Sequence, residues 1–245
     1  MAPSSTWIRT ALVALLLASC SPEKKDILGT EEKLYSQHDE ELVVRDFFGD
    51  RRGRFYVDVG AYRAELDSTT AYLDLHLGWH GIAIDAQAKL ADEWSKLRPR
   101  AKFFSYIVTD HSGGTETLYL SGAISSVVQS HKDQIDQLIG LSERARALPE
   151  QTVAVETITL DDLLDREGVT KVDFLSMDIE QGEPPALAGF DIDRFRPDLV
   201  CIEAFPSVAG RIAAYFAAHD YVRVEKYRYR DFNWWFQPAG AARPE

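Results

Sequence analysis

Short apolar segments that end in an acidic residue alternate with helical segments along most of this chain. The three clearest are residues 55–59, 81–84 and 172–177, and the acids at or just after their carboxyl ends are Asp58, Asp85 and Asp178. Parallel strands joined by right-handed helical crossovers give this alternation. The sequence therefore predicts an α/β fold, with a mostly parallel sheet and helices on both faces.

The remaining segments complete a seven-stranded sheet. Further strands are predicted at 101–108, 198–203, 221–226 and 231–237, and helices at 31–48, 68–77, 87–98, 161–167 and 208–219. Ser68 or Asp67 is a suitable N-cap for the second helix, and Thr159 for the fourth. Cys201 is expected in the core. The aromatic residues 234–236 are interpreted as the closing strand of the core, with a dimer edge as the alternative. The last two strands read as an antiparallel hairpin, and a doubly wound sheet closed by such a hairpin is typical of Rossmann-like class I methyltransferases.

Between residues 110 and 152 the alternation of strands and helices stops. Gly113 and Gly114 precede a short Thr/Tyr/Leu strand at 115–120, and a polar helical stretch follows at 131–148. Glycine pairs favour turns, and long connections in compact domains often carry lids or binding loops. We interpret this segment as an insertion with a hairpin edge and a lid or acceptor-binding loop.

The N-terminal segment has the features of an export signal. Arg9 precedes an apolar run at 11–18 that is too short to span a bilayer but has the length of a signal-peptide core. The tetrad that ends in Cys20 resembles a bacterial lipobox, which predicts a signal peptide at 1–19, an acylated Cys20, a tether at 20–30 and a folded domain at 31–245. Ser21 then points to the outer membrane, on its periplasmic side. An ordinary secretory signal, or a misassigned start codon and a cytoplasmic protein, are the alternatives.

The net negative charge of the chain limits the kinds of partner that it is expected to bind. The chain has a formal net charge of −12 and no long basic run, whereas binding of nucleic acid requires many phosphate-neutralising side chains. A nucleic-acid partner is therefore disfavoured, and a small molecule or a glycan is expected. The only membrane contact predicted is the lipid anchor at Cys20.

Open α/β sheets bind ligands at the carboxyl ends of their strands. Gly60 would let the backbone approach a ligand closely, and Asp85 is placed to accept hydrogen bonds from both hydroxyls of a ribose. The residues after Gly60 lack the G-x-G-x-x-G spacing of dinucleotide-binding folds. A ligand with a ribose but no phosphate, such as S-adenosylmethionine, fits this pattern better than a dinucleotide.

Several motifs resemble those of FkbM-family methyltransferases. They are the turn at 57–61 (VDVGA), the helix start at 68–70 (STT), the second strand at 77–85 (LGWHGIAID), the segment at 159–163 and the block at 173–183 (DFLSMDIEQGE). The match extends from about Phe55 to Phe236, and the block at 173–183 is its most specific part.

The resemblance implies transfer of a methyl group from S-adenosylmethionine, typically to a hydroxyl of a sugar or another small metabolite. It places the methionine end of the cofactor at Asp58, Gly60 and Ala61, its ribose at Asp85, and its adenine near Val108, Thr109 and Asp110. It implies that Asp178 and Glu180 face the reacting centre. A carboxylate there can orient or deprotonate the acceptor hydroxyl, and Asp178 is the candidate for this role, with a structural or cofactor-contacting role as the alternative. Glu180 and Glu183 are equally well explained as helix N-terminal acids that favour the helix dipole.

The chain departs from the family pattern at Tyr62, Thr69 and Gln181, where Asn, Asn and Gly are common. An export signal also conflicts with a cytoplasmic cofactor. Two hypotheses follow: an active methyltransferase, or an inactive, envelope-anchored lipoprotein that uses the scaffold as a binding module.

The histidines do not predict a metal site. His76 and His80 stand at helical spacing without a third ligand nearby, so packing or surface positions are expected for both. His111 is the one histidine with a possible acid or base role, against the simpler interpretation of a solvated loop residue.

Overall fold

The computed structural model describes residues 26–129, 151–228 and 232–241. The predicted signal peptide, Cys20, residues 21–25 and the polar stretch at 131–148 lie outside the described residues. Residues 27–30, which the sequence assigned to the tether, form a short helix in which Ile27 is buried. Within the described part of the chain, no helix is both long and apolar enough to cross a membrane.

Ten strands and eight α-helices make up the described chain. The strands are β1 Phe55–Val59, β2 His80–Ile84, β3 Ala101–Phe104, β4 Ile107–Val108, β5 Thr115–Tyr119, β6 Thr152–Ile158, β7 Phe174–Met177, β8 Leu199–Glu203, β9 Tyr221–Arg223 and β10 Asn233–Pro238. The helices are α1 Ile27–Thr30, α2 Glu40–Phe48, α3 Ala71–Leu75, α4 Ala91–Leu97, α5 Leu160–Arg166, α6 Glu183–Ala188, α7 Ile192–Phe195 and α8 Ala209–Ala218. Short 3-10 turns lie at Ala88–Leu90, Gly122–Ile124 and Glu225–Tyr227.

The main sheet has seven strands in the order β3-β2-β1-β7-β8-β10-β9. The five strands from β3 to β8 pair in parallel, while β10 runs antiparallel to both β8 and β9. This confirms the predicted α/β fold, with its mostly parallel sheet and closing antiparallel hairpin. The order changes direction between β1 and β7, so the carboxyl ends of these two strands form the crevice where such sheets bind ligands.

Alternate side chains of the sheet enter two different cores, because successive residues of a strand point to opposite faces. In β7, Leu175 packs in the larger cluster, and Phe174 packs in the cluster on the other face. In β10, Trp235 stacks on Phe174 and Phe236 stacks on Phe216 of α8. Trp235, Phe236 and Cys201 are buried, which confirms their expected place in the core, whereas Trp234 is only half-buried and packs against it.

The prediction of a single third strand at 101–108 is wrong, because this segment forms two strands that belong to two different sheets. β3 pairs with β2, but β4 pairs in parallel with β6, in a three-stranded sheet of order β4-β6-β5. Ser105 and Tyr106 separate the two strands. β5 pairs antiparallel with β6, as a hairpin edge of the insertion should, although β6 itself was not predicted.

The first predicted helix is also shorter than expected, since α2 begins only at Glu40. The preceding residues are held in a loop by side-chain hydrogen bonds to the backbone. The Glu41 carboxylate accepts from the amides of Leu34 and Tyr35, and the Ser36 hydroxyl donates to the His38 carbonyl. Short polar side chains that bond locally compete with helix formation in this way.

The two cap predictions have different outcomes. The Thr159 hydroxyl accepts a hydrogen bond from the Asp162 amide at 3.1 Å, which confirms it as the N-cap of α5. α3 begins at Ala71 with Thr70 in the cap position, so neither Ser68 nor Asp67 caps it. The hydroxyl of Ser68 instead accepts a hydrogen bond from the buried Arg98.

Candidate functional site

The end of β1 meets the end of β7 at a position that only glycine can occupy. Gly60 has φ +83°, and a Cβ added there would lie 1.7 Å from the carbonyl oxygen of Asp178. The amides of Gly60 and Ala61 both donate to the Ile84 carbonyl, at 2.9 and 3.0 Å. The turn after β1 is thereby fixed against the ends of two neighbouring strands.

Asp85 lies at the end of β2 and is held by two backbone amides. Its Oδ2 accepts from Tyr62 at 3.0 Å and its Oδ1 accepts from Gln87 at 2.7 Å. Burial raises the pKa of this carboxyl, and the two amide donors oppose that shift. Each carboxylate oxygen can accept a second hydrogen bond, so the group is fixed in position and still able to bind a diol.

A cavity that is partly open to solvent lies over these strand ends. Six of the predicted site residues line it: Gly60, Asp85, Val108, Thr109, Asp178 and Glu180. Its walls are largely apolar and also include Ile84, Ile107, Leu118 and Val127. A mostly apolar cleft with a few converging polar groups is the usual form of a cofactor site.

Part of the cavity wall comes from the insertion, whose contribution the sequence did not specify. Leu118 of β5, Ala123 and Ser125 line the cavity. The Ser126 hydroxyl donates to the Glu180 carbonyl at 2.7 Å, and the Gln87 side-chain amide donates to the Gly122 carbonyl at 3.1 Å. These two hydrogen bonds hold Gly122 and Ser126 of the insertion beside the cavity.

Asp58 and Ala61 are buried beside the cavity and are not among the residues that line it. Asp58 accepts a hydrogen bond from the Thr70 hydroxyl at 2.6 Å. Burial raises the pKa of Asp58 to about 6, while the Thr70 hydrogen bond and the charge of Arg98 act in the opposite direction. Asp58 therefore belongs to a buried hydrogen-bond network beside the cavity and not to the cavity wall.

Arg98 organises this buried region, and no sequence pattern indicated its role. Its guanidinium is fully buried and forms an ion pair with Asp74 at 2.7 Å. It also donates to the Tyr56 hydroxyl at 2.6 Å and to the Thr70 hydroxyl at 3.1 Å. Arg98 thus orients Thr70, which in turn holds Asp58.

Acidic side chains converge at the end of the cavity nearest β7 and β8. Asp178 reaches solvent through the cavity, although protein surrounds its carboxyl closely, and it shares a hydrogen bond with the Glu203 carboxyl. Glu183, the first residue of α6, is fully buried and accepts from the Ile179 amide at 3.0 Å. Burial, together with the neighbouring negative charges, raises the pKa values of Asp178, Glu183 and Glu203.

Two of the residues that depart from the FkbM pattern have a left-handed backbone conformation. Tyr62 has φ +40° where the family commonly has Asn, and Gln181 has φ +74° where it commonly has Gly. Asn and Gly are the residues that adopt positive φ most readily. The Gln181 side chain accepts a hydrogen bond from the Ser207 hydroxyl at 2.7 Å. The chain therefore retains the same type of turn with less favourable residues.

The three histidines considered above lie outside the set of residues that line the cavity. His76 stacks on Tyr72, and His80 packs edge-on against Phe55. His111 is exposed and contacts Asp110, Nδ1 to Oδ1, at 2.8 Å.

A doubly wound sheet closed by a hairpin, with its cavity over the ends of β1, β2 and β7, defines a class I methyltransferase, the class whose cofactor is S-adenosylmethionine. Residues 58–229 match the family model of the methyltransferase FkbM domain. Because this match covers more than half of the chain, the protein belongs to the FkbM methyltransferase family. No curated protein matches the sequence.

Solved methyltransferase structures are similar to this chain at low identity. A TehB-like SAM-dependent methyltransferase from Corynebacterium glutamicum has 13% identity and a TM-score of 0.46, covering 86% of this chain and 92% of that one. A putative rRNA-methylase from Clostridium thermocellum has 9% identity and a TM-score of 0.44, covering 86% and 99%. A precorrin-6y C5,15-methyltransferase from Geobacter metallireducens has 10% identity and a TM-score of 0.40, covering 84% and 89%.

Proposed function

We propose that this methyltransferase methylates a hydroxyl group of a sugar or another small metabolite. The observation that carries the proposal is that Asp178 lines the same cavity as Gly60 and Asp85. This supports a role for its carboxylate as a hydrogen-bond acceptor for a hydroxyl beside the cofactor.

The cavity suits S-adenosylmethionine in three respects. Gly60 lines the cavity without a side chain, so a ligand can approach its backbone closely. The fixed carboxylate of Asp85 can accept hydrogen bonds from the ribose hydroxyls, and the apolar side chains of Val108 and Leu118 can flank the adenine. When bound, the cofactor supplies the methyl group through its sulfonium.

Methyl transfer to a hydroxyl breaks the carbon–sulfur bond, forms a carbon–oxygen bond and releases the hydroxyl proton. The two reacting atoms must be held in line, and this positioning provides much of the rate acceleration. In this proposal the Asp178 carboxylate orients the hydroxyl and takes up its proton. Glu180 lines the same part of the cavity and contributes negative charge that favours the neutral hydroxyl over an anionic acceptor.

The surface next to the acids supports a sugar or other neutral ring as the acceptor. The rings of Phe205 and Phe232 are stacked with their centroids 4.5 Å apart, and Phe232 is 43% exposed. Phe205 lies just beyond β8, and the Phe232 carbonyl accepts from the Ala204 amide. Aromatic surfaces beside a few polar groups are common where proteins bind such ligands. The acids and the net charge of −12 disfavour a phosphorylated acceptor.

The test has two stages. Calorimetric titration with S-adenosylhomocysteine should show binding by the wild-type chain, and Asp85→Ala should weaken it at least tenfold, while Asp178→Asn should leave it nearly unchanged. Methyl transfer from labelled S-adenosylmethionine should then be measured with a panel of sugars and hydroxylated metabolites. Product formation that Asp178→Asn abolishes would support the proposal. A well-folded chain that binds no cofactor at millimolar concentration would refute it.

A further inference from the structure

Three carboxylates from separate elements converge beside the cavity. Asp178 follows β7, Glu183 begins α6 and Glu203 ends β8. One oxygen atom from each lies within 4.8 Å of the other two. Oxygen ligands of a single Mg²⁺ or Ca²⁺ are separated by at most about 4–5 Å, since each metal–oxygen distance is about 2.0–2.6 Å. The spacing is thus that of a set of ligands around one cation.

Two buried oxygens of this cluster have no hydrogen-bond donor. Glu183 is fully buried, and its Oε1 accepts from Ile179 while its Oε2 has no partner within the described chain. Oε2 of Glu203 is also a buried atom without a hydrogen-bond partner in the described chain. Buried polar atoms are nearly always satisfied, so an unpaired carboxylate oxygen requires an explanation. A bound cation would satisfy both atoms.

The charges of the cluster also need compensation. None of the ion pairs among the described residues involves Asp178, Glu183 or Glu203, and Glu180 adds a fourth acid nearby. Like charges at this separation repel strongly in a protein interior, where the effective dielectric constant is low. Either protons or a cation must neutralise them.

We propose that Asp178, Glu183 and Glu203 bind one divalent cation. Carboxylate oxygens without sulfur or nitrogen ligands favour the hard ions Mg²⁺, Mn²⁺ and Ca²⁺. Three protein ligands leave coordination positions open to water or to an oxygen of the acceptor. Asp178 retains a second oxygen for the acceptor hydroxyl, so the site is compatible with the function proposed above. Its ligands are defined independently of that function.

Electron paramagnetic resonance of Mn²⁺ added to the full chain tests this site directly. The wild-type protein should bind one Mn²⁺ per chain, and Mg²⁺ or Ca²⁺ should displace it. Glu183→Gln and Glu203→Gln should each weaken Mn²⁺ binding at least tenfold. Glu41→Gln is the matched control, because it neutralises a fully buried acid on α2, outside the cluster, and should leave the affinity within about twofold.

The variants are chosen so that a loss of binding is not a loss of folding. Glu183→Gln keeps a side-chain oxygen that can accept from the Ile179 amide, and thermal melting followed by circular dichroism checks each protein. If Glu183→Gln fails to fold, Glu203→Gln carries the test alone. Mn²⁺ binding that is absent in the folded wild type, or unchanged in the folded variants, would overturn the proposal.

Titration of S-adenosylhomocysteine into the same samples separates this proposal from the proposed function. Cofactor binding without Mn²⁺ binding would refute the cation site and leave the methyltransferase function intact. Mn²⁺ binding that depends on Glu183 and Glu203, without cofactor binding, would support the cation site and refute the proposed function.

Discussion

The carbonyl oxygen of Asp178 occupies the space where a side chain on residue 60 would begin. A Cβ at Gly60 would lie 1.7 Å from that oxygen, and Gly60 also has a φ of +83°. The turn after β1 and the end of β7, far apart in the chain, are therefore in direct backbone contact at the centre of the candidate site.

Gly60→Ala should destabilise the protein by roughly 3 kcal/mol or more, because a steric clash with backbone adds to the strain of positive φ. Chemical denaturation measures this cost. Gly168→Ala is the matched control, since Gly168 has φ +69° with open space around it, and it should cost only about 1 kcal/mol. Equal effects of the two substitutions would contradict the close contact between β1 and β7.

Asp58→Asn should change how stability depends on pH. The folded-state pKa of Asp58 is raised to about 6 from an ordinary value of 3.8, so the wild type loses stability as pH rises through this window and stays at the lower level above it. The variant lacks this loss and should be more stable at pH 7 by up to roughly 3 kcal/mol. Denaturation of both proteins between pH 4 and pH 7.5 measures the difference. Equal dependence of stability on pH in the two proteins would contradict the raised pKa of Asp58.

Arg98→Met should cost roughly 3 kcal/mol, because it leaves the buried carboxylate of Asp74 with only the half-exposed Arg100, 2.8 Å away, as a counter-charge. The double variant Arg98→Met/Asp74→Leu should recover part of this loss, since the unpaired charge is removed as well. Arg63→Ala breaks a pair with Glu93 in which the Arg63 side chain is 42% exposed and should cost much less, because solvent screens the two charges. A double variant no more stable than Arg98→Met would show that the charge of Asp74 is not the cause.

Ser126→Ala should loosen the insertion over the cavity, because it removes the hydroxyl that donates to the Glu180 carbonyl. A net contribution of about 1 kcal/mol from this hydrogen bond corresponds to roughly fivefold weaker binding of S-adenosylhomocysteine. Ser95→Ala removes a comparable hydroxyl, which donates to the Asp92 carbonyl on an exposed helix, and should leave the affinity unchanged. Similar affinities for the wild type and Ser126→Ala would argue against a closing role for the insertion.

The lipobox-like tetrad leads us to propose that the chain is anchored to the outer membrane, on its periplasmic side, through Cys20. Metabolic labelling with a radioactive fatty acid should mark the wild-type chain in its native host, and Cys20→Ala should abolish the label. An unlabelled wild type found in the cytosolic fraction would instead favour a misassigned start codon.

Local patterns were enough to predict the architecture. The alternation of apolar strands with helices, the Thr159 cap and the aromatic last strand depend on residues close together in the chain. For the same reason, the sequence placed Gly60, Asp85 and Asp178 at the strand ends that line the cavity. The FkbM motifs lie in these same segments, so the family was also identifiable from sequence.

The tertiary structure decided what depends on distant residues meeting. The break after β3 and the place of the insertion beside the cavity both follow from strand pairing and hydrogen bonds between separate segments. The loop before α2 is held by local side-chain bonds, which a hydrophobic periodicity does not report. The buried network joins Arg98 to Tyr56, 42 positions away in the chain, and the acidic cluster joins residues of three separate elements. A periodic pattern reports which face of an element is buried, but the energy of a buried charge depends on which partners the fold brings to it.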